Sequence, residues 1–253
     1  MQPDNRRGPD FRLGEDRTFA DVRDQFALAG VRIGRWVSRD EQAAAANRIF
    51  DALADLAWVL QVPPWLLGLR GQLQLVYGSR GQLGVQAHYE ANTRILALAK
   101  HAGAGALAHE FWHAFDHHIA SKLYPDAGPR EMASQLWLAQ DHYRAHPLND
   151  ALVQVFRTAL LSPDGRSASA FMQRALALDE SRGRSYFSQP TEMLARAFEA
   201  FVQDHAEIHN PYLVSGTKKS AAAKAGAFPQ GQERTALAAA FRQYFKALGQ
   251  ALV

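Results

Sequence analysis

The chain has 253 residues, 47% of them hydrophobic and 21% charged, values of a globular protein with room for a sizeable core. It contains no cysteine, which excludes disulfides and thiolate metal sites and leaves only nitrogen and oxygen donors for any ion. A formal charge of +3 is a mild excess, too small to argue a nucleic-acid surface, and no apolar run approaches the roughly 18 residues that a membrane span needs.

Residues 1–18 are rich in Pro, Gly, Asp and Arg and show no apolar period, so a disordered segment is expected there. Met1 to Asp10 has no apolar stretch behind its charges, unlike a secretory signal, and a cytoplasmic protein is the simplest expectation. Ser38 and Glu41 form a capping box, and Ile49, Leu53, Leu56 and Leu60 then recur at helical spacing until Pro63-Pro64. Leu73, Leu75 and Tyr77 alternate with more polar neighbours. Val85 to Tyr89 and Ile95 to Ala99 follow, with a turn at Glu90–Thr93, and together these read as a sheet of about three strands.

A helix is expected from about Gly103 to Ser121, stopped by Tyr124-Pro125. Others are expected near 131–144, 148–161 and 170–181, with a polar break at 162–169. Ser188 can cap a further helix over 190–206. Residues 215–232 read as a flexible Gly/Ala/Lys/Gln linker. Its Lys218, Lys219 and Lys224 suit a solvated linker better than a nucleic-acid contact, which is only weakly supported. An amphipathic helix at 233–253 carries Leu237, Phe241, Tyr244, Phe245 and Leu248 on a face that needs a partner, more naturally the protein's own body than a membrane.

The chemistry centres on His109-Glu110-Phe111-Trp112-His113. Positions i and i+4 share a helix face, so two imidazoles can bind one ion. Glu110, about 100° round the helix from His109, can address a bound water without being a ligand. Zinc lowers the pKa of such a water to about 7, and the carboxylate then takes its proton. With 10 His and 10 Glu in the chain, composition alone yields about 0.015 chance occurrences.

The third ligand comes from elsewhere. His117 lies about 12 Å along the axis from His109, too far to close a site with both histidines. Asp116 and Ile119 stand where a metzincin has Gly and His or Asp, which excludes that subclass. Asp116 instead orients a ligand from behind or caps a local network. Glu192, in the first turn of the helix over 190–206, completes a His2Glu set; Glu199 on the same helix is the lesser candidate. Tyr186, Arg184 and Tyr212 flank that helix and can donate to a carbonyl oxygen as it gains charge. His88 and Tyr89 can line a substrate cleft, while Trp112 and Phe115 belong to the core.

Phe26–Val37, Leu75–Gly81, Ala87–Glu90, Gly103–Glu110 and the Glu192 segment, in that order over about residues 20–214, resemble a zincin-like domain of bacterial and phage proteins, the large polyvalent protein-associated domain or CLCA_X family. The family occurs largely in phage and mobile-element proteins. The resemblance implies an α+β metallopeptidase-like fold over 19–214, with a small mixed sheet, an active-site helix and a mostly helical C-terminal half. The function expected is a gluzincin-type zinc metallopeptidase with a peptide or protein substrate. Two alternatives stay open: a non-catalytic, metal-stabilised binding module of a phage or mobile-element protein, or a zinc hydrolase of peptidoglycan or another non-peptide amide. Arg196 departs from the thermolysin-like pattern, which has Asp four residues after the ligand Glu.

Overall fold

The computed structural model describes residues 5–78, 87–100, 105–139 and 142–252. Two compact units make up the chain. One takes in residues up to Ala114 with His205–Ser215; the other takes in Phe115–Asp204 and Gly216–Ala251.

In the first unit, α1 (Phe19–Gln25) opens at a capping box between Thr18 and Asp21. β1 (Gly30–Ile33) follows, then α2 (Arg39–Leu60), which starts at the expected box of Ser38 and Glu41. α2 buries Ile49, Leu53, Leu56 and Leu60, a stripe set by the 3.6-residue period. After a 3-10 turn at Pro64–Gly68 come β2 (Gln74–Tyr77), β3 (Ala87–Glu90) and β4 (Ile95–Leu98). The sheet is small and mixed, with order β1-β2-β4-β3: β1 and β4 flank β2 in parallel, and β3 runs antiparallel to β4. Among the described residues it has four strands rather than the expected three or so. β1 carries only four residues with little alternation, so its pairing is set by β2 and not by its own pattern. β2 and β4 are almost wholly buried, as strands paired on both sides usually are. Val85 and Gly81 lie outside the described residues.

α3 (Ala106–Leu123) begins in the first unit and ends in the second. The rest is mostly helical: α4 (Ala133–Ala139), α5 (Pro147–Leu160), α6 (Ala170–Arg182), α7 (Pro190–Gln203), α8 (Ala221–Lys224) and α9 (Gly231–Gln250). α9 finds its partners in α5 and α7. Phe241 stacks on Phe201 at 5.3 Å between ring centroids, and Phe245 meets Phe198 at 5.9 Å and Phe115 at 5.5 Å. Among the described residues no helix is long and apolar enough to cross a membrane.

Two segments expected to be loose carry specific contacts. Arg6 clamps Asp55 through Nε and Nη2 at 2.8 and 2.6 Å, Arg12 pairs with Asp51 at 2.9 Å, and Arg7 bridges His209 as an isolated β-pair. The partners are far away in sequence, which is why local composition suggested disorder. Within 215–232, α8 and the buried Ala223, Ala227 and Phe228 are fixed in the second unit, and Thr217 donates its hydroxyl to Gln203. Lys218 pairs with Asp204 at 2.7 Å.

Candidate metal centre

The helix that carries His109 and His113 is set at its start by backbone. The first N–H groups of an α-helix have no partner inside it. Here Gly105 N donates to Tyr212 O at 3.2 Å and Ala108 N donates to Leu213 O at 3.1 Å. Gly105 has φ +108°, and a Cβ there would lie 2.6 Å from Ser215 Oγ and 2.7 Å from Ser215 N, so only glycine lets the two segments approach this closely. The accepting turn is held in its own right. Asn210 Oδ1 accepts from Tyr212 N (3.0 Å) and Leu213 N (3.2 Å), while Asn210 Nδ2 donates to Asp55 Oδ2 at 2.8 Å. Asp55 is fully buried and also receives the Arg6 fork. Burial pushes its carboxyl up, against the downward pull of Arg6 and Asn210.

One turn apart on α3, the His109 and His113 rings stand at 4.8 Å between centroids and 78° between planes, both half-buried. Trp112 and Phe115 are core side chains, at 0% and 2% exposure. His117 is buried, its Nε2 2.9 Å from the carbonyl of Pro129. Asp116, fully buried, accepts from Ser134 N (2.9 Å) and Ser134 Oγ (2.5 Å), so it caps the first turn of α4.

A buried side chain also sets the start of α7. Asp179 on α6 accepts four hydrogen bonds: from Tyr186 N at 3.0 Å, Phe187 N at 2.7 Å, Ser188 N at 2.8 Å and Ser188 Oγ at 2.6 Å. Burial pushes the Asp179 carboxyl up, but these donors outweigh it and the net shift is downward. Ser188 therefore spends its hydroxyl on Asp179. The N-cap of α7 is Gln189, with Pro190 at the first helical position, which corrects the expected Ser188 cap. Glu192 follows in the first turn, where a carboxylate is favoured by the helix dipole. Its Oε2 accepts from Arg196 Nη2 at 3.0 Å. Glu199 is buried two turns further along α7.

His109, His113 and Glu192 form a group that could hold a metal ion. One ligand atom from each lies within 4.8 Å of the others. Glu199 and Asp116 are not in that group. Tyr186 packs its ring against the Arg196 guanidinium at 4.8 Å and the Arg184 guanidinium at 5.3 Å. On β3, His88 is exposed, and burial holds the Tyr89 phenol up at about 12. The residues that the sequence does not single out are Asp55, Asp179 and Asn210, which carry no local signal. Arg196 stands out there only as a departure from the thermolysin-like pattern, although its i, i+4 spacing from Glu192 also signals the contact.

Residues 178–252 match the family model of large polyvalent protein-associated domain 1. The match covers under a third of the chain and includes α7 and α9. The resemblance drawn over 20–214 extends over more of the chain, and the His109–His113 segment is not part of the match. No curated protein and no solved structure matches the chain.

Proposed function

We propose that this chain is a zinc-dependent, metallopeptidase-like hydrolase in which His109, His113 and Glu192 hold the ion and Glu110 is the general base. The observation that carries the reading is the convergence of two imidazoles and a carboxylate within 4.8 Å. Zinc–ligand lengths of about 2.0–2.1 Å put tetrahedral donors about 3.4 Å apart, so a side-chain rotation on the order of 1 Å closes the set. The donor types fit: imidazole with one carboxylate suits zinc, and three protein ligands leave the open position that catalytic sites keep.

A bound zinc ion would supply Lewis-acid polarisation and make water a nucleophile near neutral pH. Glu110, adjacent to His109 on α3, accepts the proton of the attacking water and returns it to the leaving amine. Tyr186, packed against the arginine that holds Glu192, is the candidate donor to the substrate carbonyl as it becomes an oxyanion. Glu110 separates this reading from a purely structural zinc, which has no use for an adjacent carboxylate.

A second reading of the same donor set is a metal-stabilised module whose ion holds the fold and cuts nothing. One pair of measurements separates the two. Elemental analysis should give about one zinc per chain, and Glu110→Gln should keep it while lowering cleavage of a peptide library at least about 10²-fold. Equal cleavage by Glu110→Gln removes the mechanism. A zinc-loaded protein that cuts no amide but unfolds on chelation belongs to the second reading.

A further inference from the structure

A carboxylate ligand needs a donor on its other oxygen to fix its angle, since a free Glu side chain has three rotatable bonds and loses that freedom on binding. Arg196, one turn further along α7, is 6% exposed, a rare degree of burial for arginine. Its Nη2 donates to Glu192 Oε2 at 3.0 Å and its Nη1 donates to the Glu192 carbonyl at 3.1 Å. The guanidinium thus grips backbone and side chain of one residue. Its carbon lies 4.8 Å from the Tyr186 ring centre and 4.7 Å from that of Phe187. Those two rings belong to the segment that Asp179 holds with backbone bonds to Tyr186 N and Phe187 N.

These contacts run in one direction. Asp179 fixes the aromatic pair, the pair fixes the plane of the guanidinium, and the guanidinium fixes Glu192. An ordinary i, i+4 surface pair contributes little to stability and needs none of this. The aromatic walls and the burial cost the arginine its hydration, and Glu192 is its only carboxylate partner among the described residues.

We propose that Arg196 is the positioning residue for Glu192, presenting the carboxylate to a metal ion through one oxygen while holding the other. The proposal rests on the metal reading of His109, His113 and Glu192, and the test keeps the two apart. In the full chain, freed of metal by chelator dialysis, zinc affinity is measured by competition with a chromophoric chelator, and the visible spectrum is recorded after loading with cobalt(II). Arg196→Met keeps an apolar stem between the rings and should weaken zinc binding about 10- to 100-fold, the loss typical of a residue that orients a ligand, with an altered cobalt spectrum. Arg196→Lys keeps the charge without the planar fork and should recover part of that loss, ending about threefold or more below the parent.

Glu192→Gln is the reference. If it loses zinc while Arg196→Met binds as tightly as the parent with an unchanged cobalt spectrum, Arg196 is a structural ion pair and only this proposal is overturned. Tighter binding by Arg196→Met would make the guanidinium a competing cation, which also overturns it. If Glu192→Gln and the parent bind zinc alike, or the parent binds none, the metal reading itself is wrong. Should Arg196→Met fail to fold by circular dichroism, Arg196→Lys decides: parental affinity counts against the proposal and a loss counts for it.

Discussion

The two helices that carry the candidate ligands are both fixed at their first turns by a buried aspartate, but by opposite routes. Behind α3 the route is long. Asp55 on α2 holds Asn210, Asn210 holds the turn at Tyr212 and Leu213, and the carbonyls of that turn accept from Gly105 and Ala108. Behind α7 it is short, because Asp179 takes Tyr186, Phe187 and Ser188 directly. The difference shows in the carboxyls. Burial dominates at Asp55 and pushes it up, whereas at Asp179 four donors outweigh burial and the net shift is down. A long relay ties together segments about 155 residues apart and makes the start of α3 a product of tertiary structure. A short one makes the start of α7 nearly self-contained.

The largest effect should come from breaking the long relay at its closest approach. Gly105→Ala puts a Cβ into a backbone with φ +108° and within 2.7 Å of Ser215 N, a backbone atom that cannot swing aside. Strain of about 1–3 kcal/mol and overpacking of a similar size should together cost about 3 kcal/mol, read as a lower urea midpoint. Zinc affinity should fall too, because the clash displaces the turn before His109. A midpoint within about 0.5 kcal/mol of the parent would mean that the start of α3 is not held at this contact.

The short relay should break more gently and with a pH signature. Asp179→Asn leaves one acceptor oxygen for four donors and should cost about 2 kcal/mol at neutral pH. The sign with pH follows from the lowered folded-state value. Stability from Asp179 is fully present above the unfolded carboxylate value of about 3.9 and is lost as pH falls through the lower folded value. The parent should therefore lose stability below about pH 4, and Asp179→Asn should lose less over the same window. Asp204 is also lowered, its burial outweighed by Arg234 and Lys218, so a residual acid limb should survive in the variant. Parallel acid limbs in the two proteins would contradict the role given to Asp179.

How far each region could be read in advance follows the same division. The box of Ser38 and Glu41, the stripe of α2, the pair His109 and His113, and the apolar face of α9 are all written in spacings of three or four residues, and local physics is enough to see them. Glu192 was legible as a first-turn carboxylate, though which partners it meets was not. β1 was invisible because a four-residue strand owes its existence to β2. The clamp of Arg6 on Asp55 is hidden in the sequence, since the Pro- and Arg-rich segment 1–18 looks unstructured until its distant carboxylate is known. Ser188 was misread for a different reason. A serine two positions before a proline is a good cap by type, and only the tertiary placement of Asp179 shows its hydroxyl engaged elsewhere.

That misreading supplies the smallest and sharpest test. Ser188→Ala removes one hydrogen bond of 2.6 Å to Asp179 and leaves the backbone donors of Tyr186, Phe187 and Ser188 in place. The loss should be about 1 kcal/mol, which by itself cannot separate a lost cap from a lost hydrogen bond to a carboxylate. Ser188→Asp can. Aspartate is as good an N-cap as serine and adds a favourable charge at a helix start, so a capping role predicts unchanged or slightly raised stability. If the hydroxyl instead serves Asp179, the new carboxylate stands against an existing one, and like charges at hydrogen-bonding distance disfavour each other. Ser188→Asp should then be less stable than Ser188→Ala at pH 7, and the gap between them should shrink as pH falls and one of the two carboxylates takes up a proton. Urea midpoints for the pair at pH 7 and about pH 5 measure that gap. A Ser188→Asp variant more stable than Ser188→Ala at both values would return Ser188 to the helix and leave Asp179 with backbone donors alone.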